Sequence, residues 1–232
     1  MNIYAIEIPE SLTEYQMERY LSQIPMERQE RVRRYVREED AIRSLCGSLL
    51  TQYVIWKELK AVNFSYSYNK YGKPFVSEFP SFHYNLSHSH NWVVCATDDN
   101  EVGIDIEKIK DIDLGIAERF FTPSEFAEIQ RKSSFEQIAC FYEYWTMKES
   151  YIKALGKGLS IPLNSFCIRE ENGEYQTIDQ NSKLYFFNQL YLDNEYKLAV
   201  CSKKKIIDIK VQYVNMENFN KIYQTKSSTI LF

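Results

Sequence analysis

The chain has 232 residues, with 28 Lys and Arg against 32 Asp and Glu, a formal net charge of −4. Hydrophobic residues at 44% and charged ones at 26% are the proportions of a soluble globular protein, and 7 Gly with 6 Pro exclude a disordered or collagen-like chain. The length allows one or two domains, no apolar run approaches the ~20 residues that span a bilayer, and Glu7 stands where a signal peptide would be apolar. The expectation is a cytoplasmic protein whose five cysteines, scattered and without a C-x-x-C pair, stay as free thiols.

Ile3–Ile8 has the pattern of a strand and Leu12–Ile24 that of a helix. Glu27–Leu59 carries one or two longer helices. Between Arg28 and Arg37, five arginines (Arg28, Arg31, Arg33, Arg34, Arg37) stand against Glu30 alone, a local charge of +4. Helix spacing brings Arg28, Arg31 and Arg34 together. Such a run is either a solvated face balanced by Glu38, Glu39 and Asp40, or a grip for a small polyanion. The acidic overall balance argues against a general nucleic-acid binder.

Phe64–Ser67 and Pro74–Val76 form a predicted hairpin around the turn Asn69-Lys70-Tyr71-Gly72. Strands are expected at Phe82–Leu86, Trp92–Thr97 and Val102–Glu107. Ser87-His88-Ser89 falls in a loop on this reading, offering hydroxyl, imidazole and backbone N–H donors to a phosphate. The histidines 83, 88 and 90 lack the further ligands a zinc site needs. A second helical block begins near Ile116. Thr122-Pro123-Ser124-Glu125 has the form of a capped helix start, and Ser134-Phe135-Glu136-Gln137 opens a helix running to Leu155 and stopping at Gly156. Strands return at Ser165–Arg169, Lys183–Phe187, Tyr196–Cys201 and Ile206–Val211, and Thr225–Phe232 is expected to be poorly ordered.

The halves repeat. Pro25–Leu59 and Pro123–Leu155 are matching helical blocks, and Trp92–Ala96 then Gly103–Glu107 is matched by Tyr196–Cys201 then Ile207–Lys210. The pattern predicts an α+β fold of two similar lobes about a pseudo-twofold axis, residues 1–101 and 102–224, with a ligand cleft between them. A duplication that supplies its own interface favours a monomer.

Strand alternation places Asp105 and Glu107 on one face, where two carboxylates need either full solvation or a shared cation. On the helix ending at Leu155, Glu149 falls inside the apolar stripe of Ile138, Trp145 and Ile152, a costly place unless it is paired or metal-bound. Lys153, four residues on, offers a simple ion pair instead. Lys148 also lies near the stripe but could extend to solvent. Gly156-Lys157-Gly158 lacks the spacing of a nucleotide P-loop.

Val102-Gly103-Ile104-Asp105-Ile106-Glu107 followed by Trp145-Thr146-Met147-Lys148-Glu149-Ser150-Tyr151-Ile152-Lys153 resembles the two-part signature of 4′-phosphopantetheinyl transferases. The length and doubled lobes resemble the surfactin-synthetase-activating type, and the likeness extends through Arg43-Ser44, Tyr71–Pro74, Asn85–Ser89 and Gly156–Ser160. It implies an enzyme that moves the phosphopantetheine arm of coenzyme A to a serine of an acyl or peptidyl carrier protein. It further implies Mg²⁺, with Mn²⁺ as a substitute, held by Asp105, Glu107 and Glu149. Lys153, assisted by Ser87, would neutralise the diphosphate, and Glu149 is the candidate base. Arg28, Ser44 and His88 match positions holding the 3′-phosphate, Arg31 is a further candidate for binding coenzyme A, and Lys73 with its neighbouring backbone matches the adenine end. Phe120 and Lys157 are candidates for docking an acidic carrier. Rival readings of the same residues are a Mg²⁺-dependent nucleotide pyrophosphate hydrolase and a non-catalytic carrier- or coenzyme-A-binding module.

Overall fold

Strands β1 (Asn2–Glu7) and β5 (Trp92–Asp98) are apolar on both faces because both faces are covered. In the computed structural model, which describes residues 1–179, 182–205 and 207–220, Tyr4, Ile6, Val93 and Cys95 pack against the 22-residue helix α3 (Glu38–Leu59). The alternate residues Ile3, Ala5, Val94 and Ala96 meet a second sheet through Ile104, Ile106, Leu198 and Val200. The outer face of that sheet carries Phe187, Ala199 and Cys201 against Met147, Tyr151 and Ala154 of the other 22-residue helix, α6 (Ser134–Leu155). The layers therefore run helix, sheet, sheet, helix, and the expected α+β fold of two similar lobes is what forms.

The first sheet has the order β11 (Val211–Val214), β1, β5, β4 (His83–Ser89). The second has the order β6 (Val102–Lys108), β10 (Tyr196–Ser202), β9 (Leu184–Leu190), β8 (Glu174–Ile178), β7 (Arg169–Glu171). A separate hairpin pairs β2 (Tyr66–Tyr68) with β3 (Pro74–Val76). The shorter helices are α1 (Glu14–Leu21), α2 (Met26–Arg33), α4 (Gly115–Phe120) and α5 (Pro123–Gln130). The capping box predicted at Thr122 and Glu125 is present.

Several boundaries differ from the sequence expectation, each for a local reason. Helix α1 starts after Thr13, whose side chain and Gln16 cap it reciprocally, so Leu12 stays outside. The long helical block breaks at residues 34–37. The cap of α6 is Ser133 with Glu136, one residue before the predicted pair. Of the strand expected over Ser165–Arg169, Ser165 closes a 3₁₀ turn that begins at Leu163 and only Arg169 is strand, as the first residue of β7; the sequence pattern does not mark β8. Asp208 has φ of 58°, which turns the chain, so the last strand begins only at Val211. It then pairs in parallel with β1, and Val214 and Phe219 join the core under α3. The chain thus leaves the first sheet after Asp98 and comes back to it at Val211. Ile206 and the tail Thr225–Phe232 lie outside the described residues. Among the described residues no helix is long and apolar enough to cross a membrane, and the cysteines are unpaired thiols.

Candidate active site

The edge strand β6 has one row of N–H groups bonded to β10, and the other row needs partners. Strand β4 supplies them with side chains. Asn85 Oδ1 accepts from the Ile104 N–H at 2.9 Å, Ser87 Oγ from Ile106 at 3.4 Å and Ser89 Oγ from Lys108 at 3.0 Å. Ser87-His88-Ser89 is the end of a strand, not a loop, its backbone paired with Val94, Val93 and Trp92 of β5. Its alternation sends the two serines to the seam and Leu86 and His88 to the opposite face.

Asp105, 3% exposed, sits at this seam. Its Oδ1 accepts from Ser87 Oγ at 2.8 Å and from Lys153 Nζ at 2.5 Å, and Lys153 Nζ also donates to Ser87 Oγ at 2.8 Å. Lys153 thus pairs across the seam with Asp105 rather than along the helix with Glu149. The approach is possible because position 103 is glycine: a Cβ there would stand 1.9 Å from the Ser150 carbonyl oxygen. Ser89 Oγ donates to Glu107 Oε2 at 3.0 Å.

The acids strain one another electrostatically. Burial, then the charge of Asp105, pushes Glu107 up to about 7, and Glu149 is raised for the same two reasons. Burial raises Asp105 itself. Asp105 Oδ2 is buried without a hydrogen-bond partner among the described residues. An orphaned carboxylate oxygen beside two acids that resist ionisation is a donor set that fits a cation, and all-oxygen donors suit Mg²⁺ or Mn²⁺. Among the described residues no three acidic, His or Cys side chains form a ready-made cage.

Lys148 does not extend to solvent. It is fully buried, 2.8 Å from Glu125 Oε2, and donates to the carbonyls of Leu163 and Phe166 at 2.8 and 2.9 Å. Neighbours in sequence, Lys148 and Glu149 project about 100° apart on α6 and meet different partners.

A cleft of about 550 Å³ opens between α2, α3, the hairpin and β4. Arg28, Arg31, Arg43, Ser44 and His88 line it, as does Pro74. Arg28 donates to the Tyr68 hydroxyl at 2.8 Å, and its guanidinium lies 5.2 Å from the Tyr66 ring centre. Burial, then the charges of Arg43 and Lys153, keep His88 below the usual histidine range. Arg34 does not join this face. At the C-cap of α2, Arg34 pairs with Glu30 one turn back at 3.6 Å and is not among the cleft residues, while Arg33 forks onto Glu18 with two 2.6 Å bonds. Reading the sequence missed Tyr66 and Tyr68; the signal was their alternation in a short polar strand.

Lys73 does not offer its ammonium to the cleft. Its ammonium turns from the cleft and donates to the carbonyls of Val102 at 3.0 Å, Lys153 at 2.6 Å and Ala154 at 3.1 Å, and burial pushes it down to about 8. The adjoining Pro74 remains at the cleft. Phe120, 38% exposed, ends α4, and Lys157 is exposed beyond α6. Lys157 borders a larger groove of about 610 Å³ with Tyr151 and Ile178, but none of the three candidate metal-binding acids reaches it, so it is not where the chemistry is placed.

Known proteins were compared with the chain. The model of the 4′-phosphopantetheinyl transferase superfamily matches residues 101–201, and that of the 4′-phosphopantetheinyl transferase N-terminal region matches residues 11–100. 4′-Phosphopantetheinyl transferase Sfp of Bacillus subtilis (strain 168) is 42% identical over 207 residues, 87% of this chain and 92% of that protein. 4′-Phosphopantetheinyl transferase ffp of Bacillus subtilis is 40% identical over 208 residues, 88% and 93% of the two chains. 4′-Phosphopantetheinyl transferase gsp of Aneurinibacillus migulanus is 42% identical over 202 residues, 85% and 84%. With matches that span both halves and a seam that joins Asp105 to Lys153, the chain belongs to the 4′-phosphopantetheinyl transferase superfamily.

Proposed function

We propose that this 4′-phosphopantetheinyl transferase moves the phosphopantetheine arm of coenzyme A to a serine hydroxyl of an apo acyl or peptidyl carrier protein, releasing adenosine 3′,5′-bisphosphate. The observation that carries the reading is the adjacency of a basic cleft and a cation-seeking acidic seam, joined by β4. Its His88 faces the cleft and its Ser87 holds Asp105. A ligand with a phosphate at one end and a diphosphate further along matches that order of charges.

Arg28, Arg31, Ser44 and His88 would hold the 3′-phosphate, Arg28 being braced by Tyr66 and Tyr68. Asp105, Glu107 and Glu149 would hold Mg²⁺, which when bound offsets the negative charge of the diphosphate. Lys153, oriented by Ser87, adds its positive charge at the same place. The carrier serine oxygen attacks the β-phosphorus, and the bond from that phosphorus to the oxygen of the adenosine 5′-phosphate breaks. The serine proton passes to Glu149, the candidate base. The rest is positioning of charge that spreads in the transition state. The acceptor class covers peptide-synthetase, polyketide and fatty-acid carriers, and a cytoplasmic monomer fits the free thiols and the doubled architecture.

Intact-mass spectrometry of an apo-carrier incubated with coenzyme A and Mg²⁺ tests this. One phosphopantetheine on serine is expected, abolished by a chelator; bisphosphate release without any carrier would mark a hydrolase instead. Glu149→Gln is expected to lower kcat by about 10²-fold or more with an unchanged circular-dichroism spectrum. Near-normal turnover would remove Glu149 from the chemistry.

A further inference from the structure

The hairpin β2–β3 faces two ways. Toward the cleft it presents Tyr66 and Tyr68, which brace Arg28, and Pro74. From its turn, Lys73 and Asn69 reach into the second half of the molecule. Asn69 Nδ2 donates to the Gly156 carbonyl at 2.8 Å, and Lys73 Nζ donates to Val102, Lys153 and Ala154. The last carbonyls of a helix have no partners within it and carry its negative end, so an ammonium there both bonds and neutralises them. Val102 opens the strand that holds Asp105 and Glu107; Lys153 and Ala154 close the helix that holds Glu149. One side chain therefore ties the beginning of β6, the end of α6 and the wall of the cleft. The packing is close: a Cβ on Gly156 would stand 2.7 Å from Lys73 Cδ.

We propose that Lys73 is a positioning residue for phosphopantetheine transfer, fixing the last turn of α6 against β6 and the hairpin so that Lys153 meets the diphosphate in register with a 3′-phosphate held in the cleft. An ammonium has three protons to donate, and three carbonyls take them all, so none is left for a ligand. The role is exerted through Lys153, and it rests on the reading that the seam flanks the diphosphate.

Four variants test it: Lys73→Met, Lys73→Arg, Lys153→Ala and the double variant Lys73→Met/Lys153→Ala. Each is measured for kcat, for calorimetric Kd of adenosine 3′,5′-bisphosphate and for melting temperature. Lys73→Met is expected to lower kcat about tenfold or more, since small misplacements of a reacting group cost that much, with the bisphosphate Kd within about twofold. Lys73→Arg is expected to restore part of the loss. In the Lys153→Ala background, Lys73→Met is expected to change kcat by less than about twofold, the non-additivity of residues that act as one unit. A parent-like kcat in Lys73→Met overturns the proposal. So does a full multiplicative loss in the double variant, or a weakened Kd accompanied by a lowered melting temperature, which marks a purely structural role. A parent-like kcat in Lys153→Ala overturns the reading of the seam itself, and the proposal with it.

Discussion

Glu107 shows what one side chain reports about the site. Its ordinary value of 4.5 is pushed to about 7 by burial, then by Asp105, with Glu149 adding to the effect. Between those values the folded chain binds a proton at Glu107 that the unfolded chain has released, so this residue favours the fold at low pH and loses that contribution as pH rises through 7. Allowing for its partial exposure, the loss is about 1 kcal/mol. Metal-free Glu107→Gln is therefore expected to melt about 2–4 °C above the parent at pH 8 and nearer to it at pH 5. Equal differences at both pH values in a thermal-melt series would show that Glu107 is not strained by its neighbours. The alternation of Asp105 and Glu107 was legible in the sequence. That Lys153 would neutralise Asp105 was not, because helix spacing offered Glu149 as an equally near partner and the strand lies 48 residues away.

Between elements, the contact of α6 with β6 decides whether the acids and Lys153 meet at all. Gly103 permits it: an added Cβ would meet the Ser150 carbonyl oxygen at 1.9 Å and the Ala154 nitrogen at 2.4 Å, backbone atoms that move only with the helix. Gly103→Ala is expected to destabilise the fold by about 3 kcal/mol or more, read as a lower denaturation midpoint, and to reduce kcat as α6 lifts from the strand. A midpoint within error of the parent would mean that the helix rides further from the sheet. The glycine was visible as part of a motif, but its reason was not. Polar composition made Ser87-His88-Ser89 read as a loop. It is a strand because its backbone pairs antiparallel with β5, Ser87 opposite Val94 and Ser89 opposite Trp92, while the side chains of Asn85, Ser87 and Ser89 satisfy the free edge of β6.

At the scale of the molecule, the ends of α4 and α6 present Phe120 and Lys157 at the surface. Beneath them the buried Glu125–Lys148 pair fastens α5 and the 163–168 turn to α6, with Glu125 Oε1 also accepting from the Ile168 N–H at 2.8 Å. Phe120→Asp or Lys157→Glu is expected to raise the carrier KM about tenfold while the coenzyme A KM stays the same, in steady-state assays with each substrate varied. Parallel losses for both substrates would point to misfolding. The sequence by itself determined local matters: most of the helices and strands, the cap at Thr122 and the stop at Gly156, which carboxylates share a face, and the signature that identified the family. Those follow from periodicity and from chemistry within a few residues. Tertiary structure alone decided that β11 lies against β1, that Lys73 clasps the end of α6 and that Lys148 is buried. These depend on partners many residues away, so helix and strand spacing could not choose among the groups available.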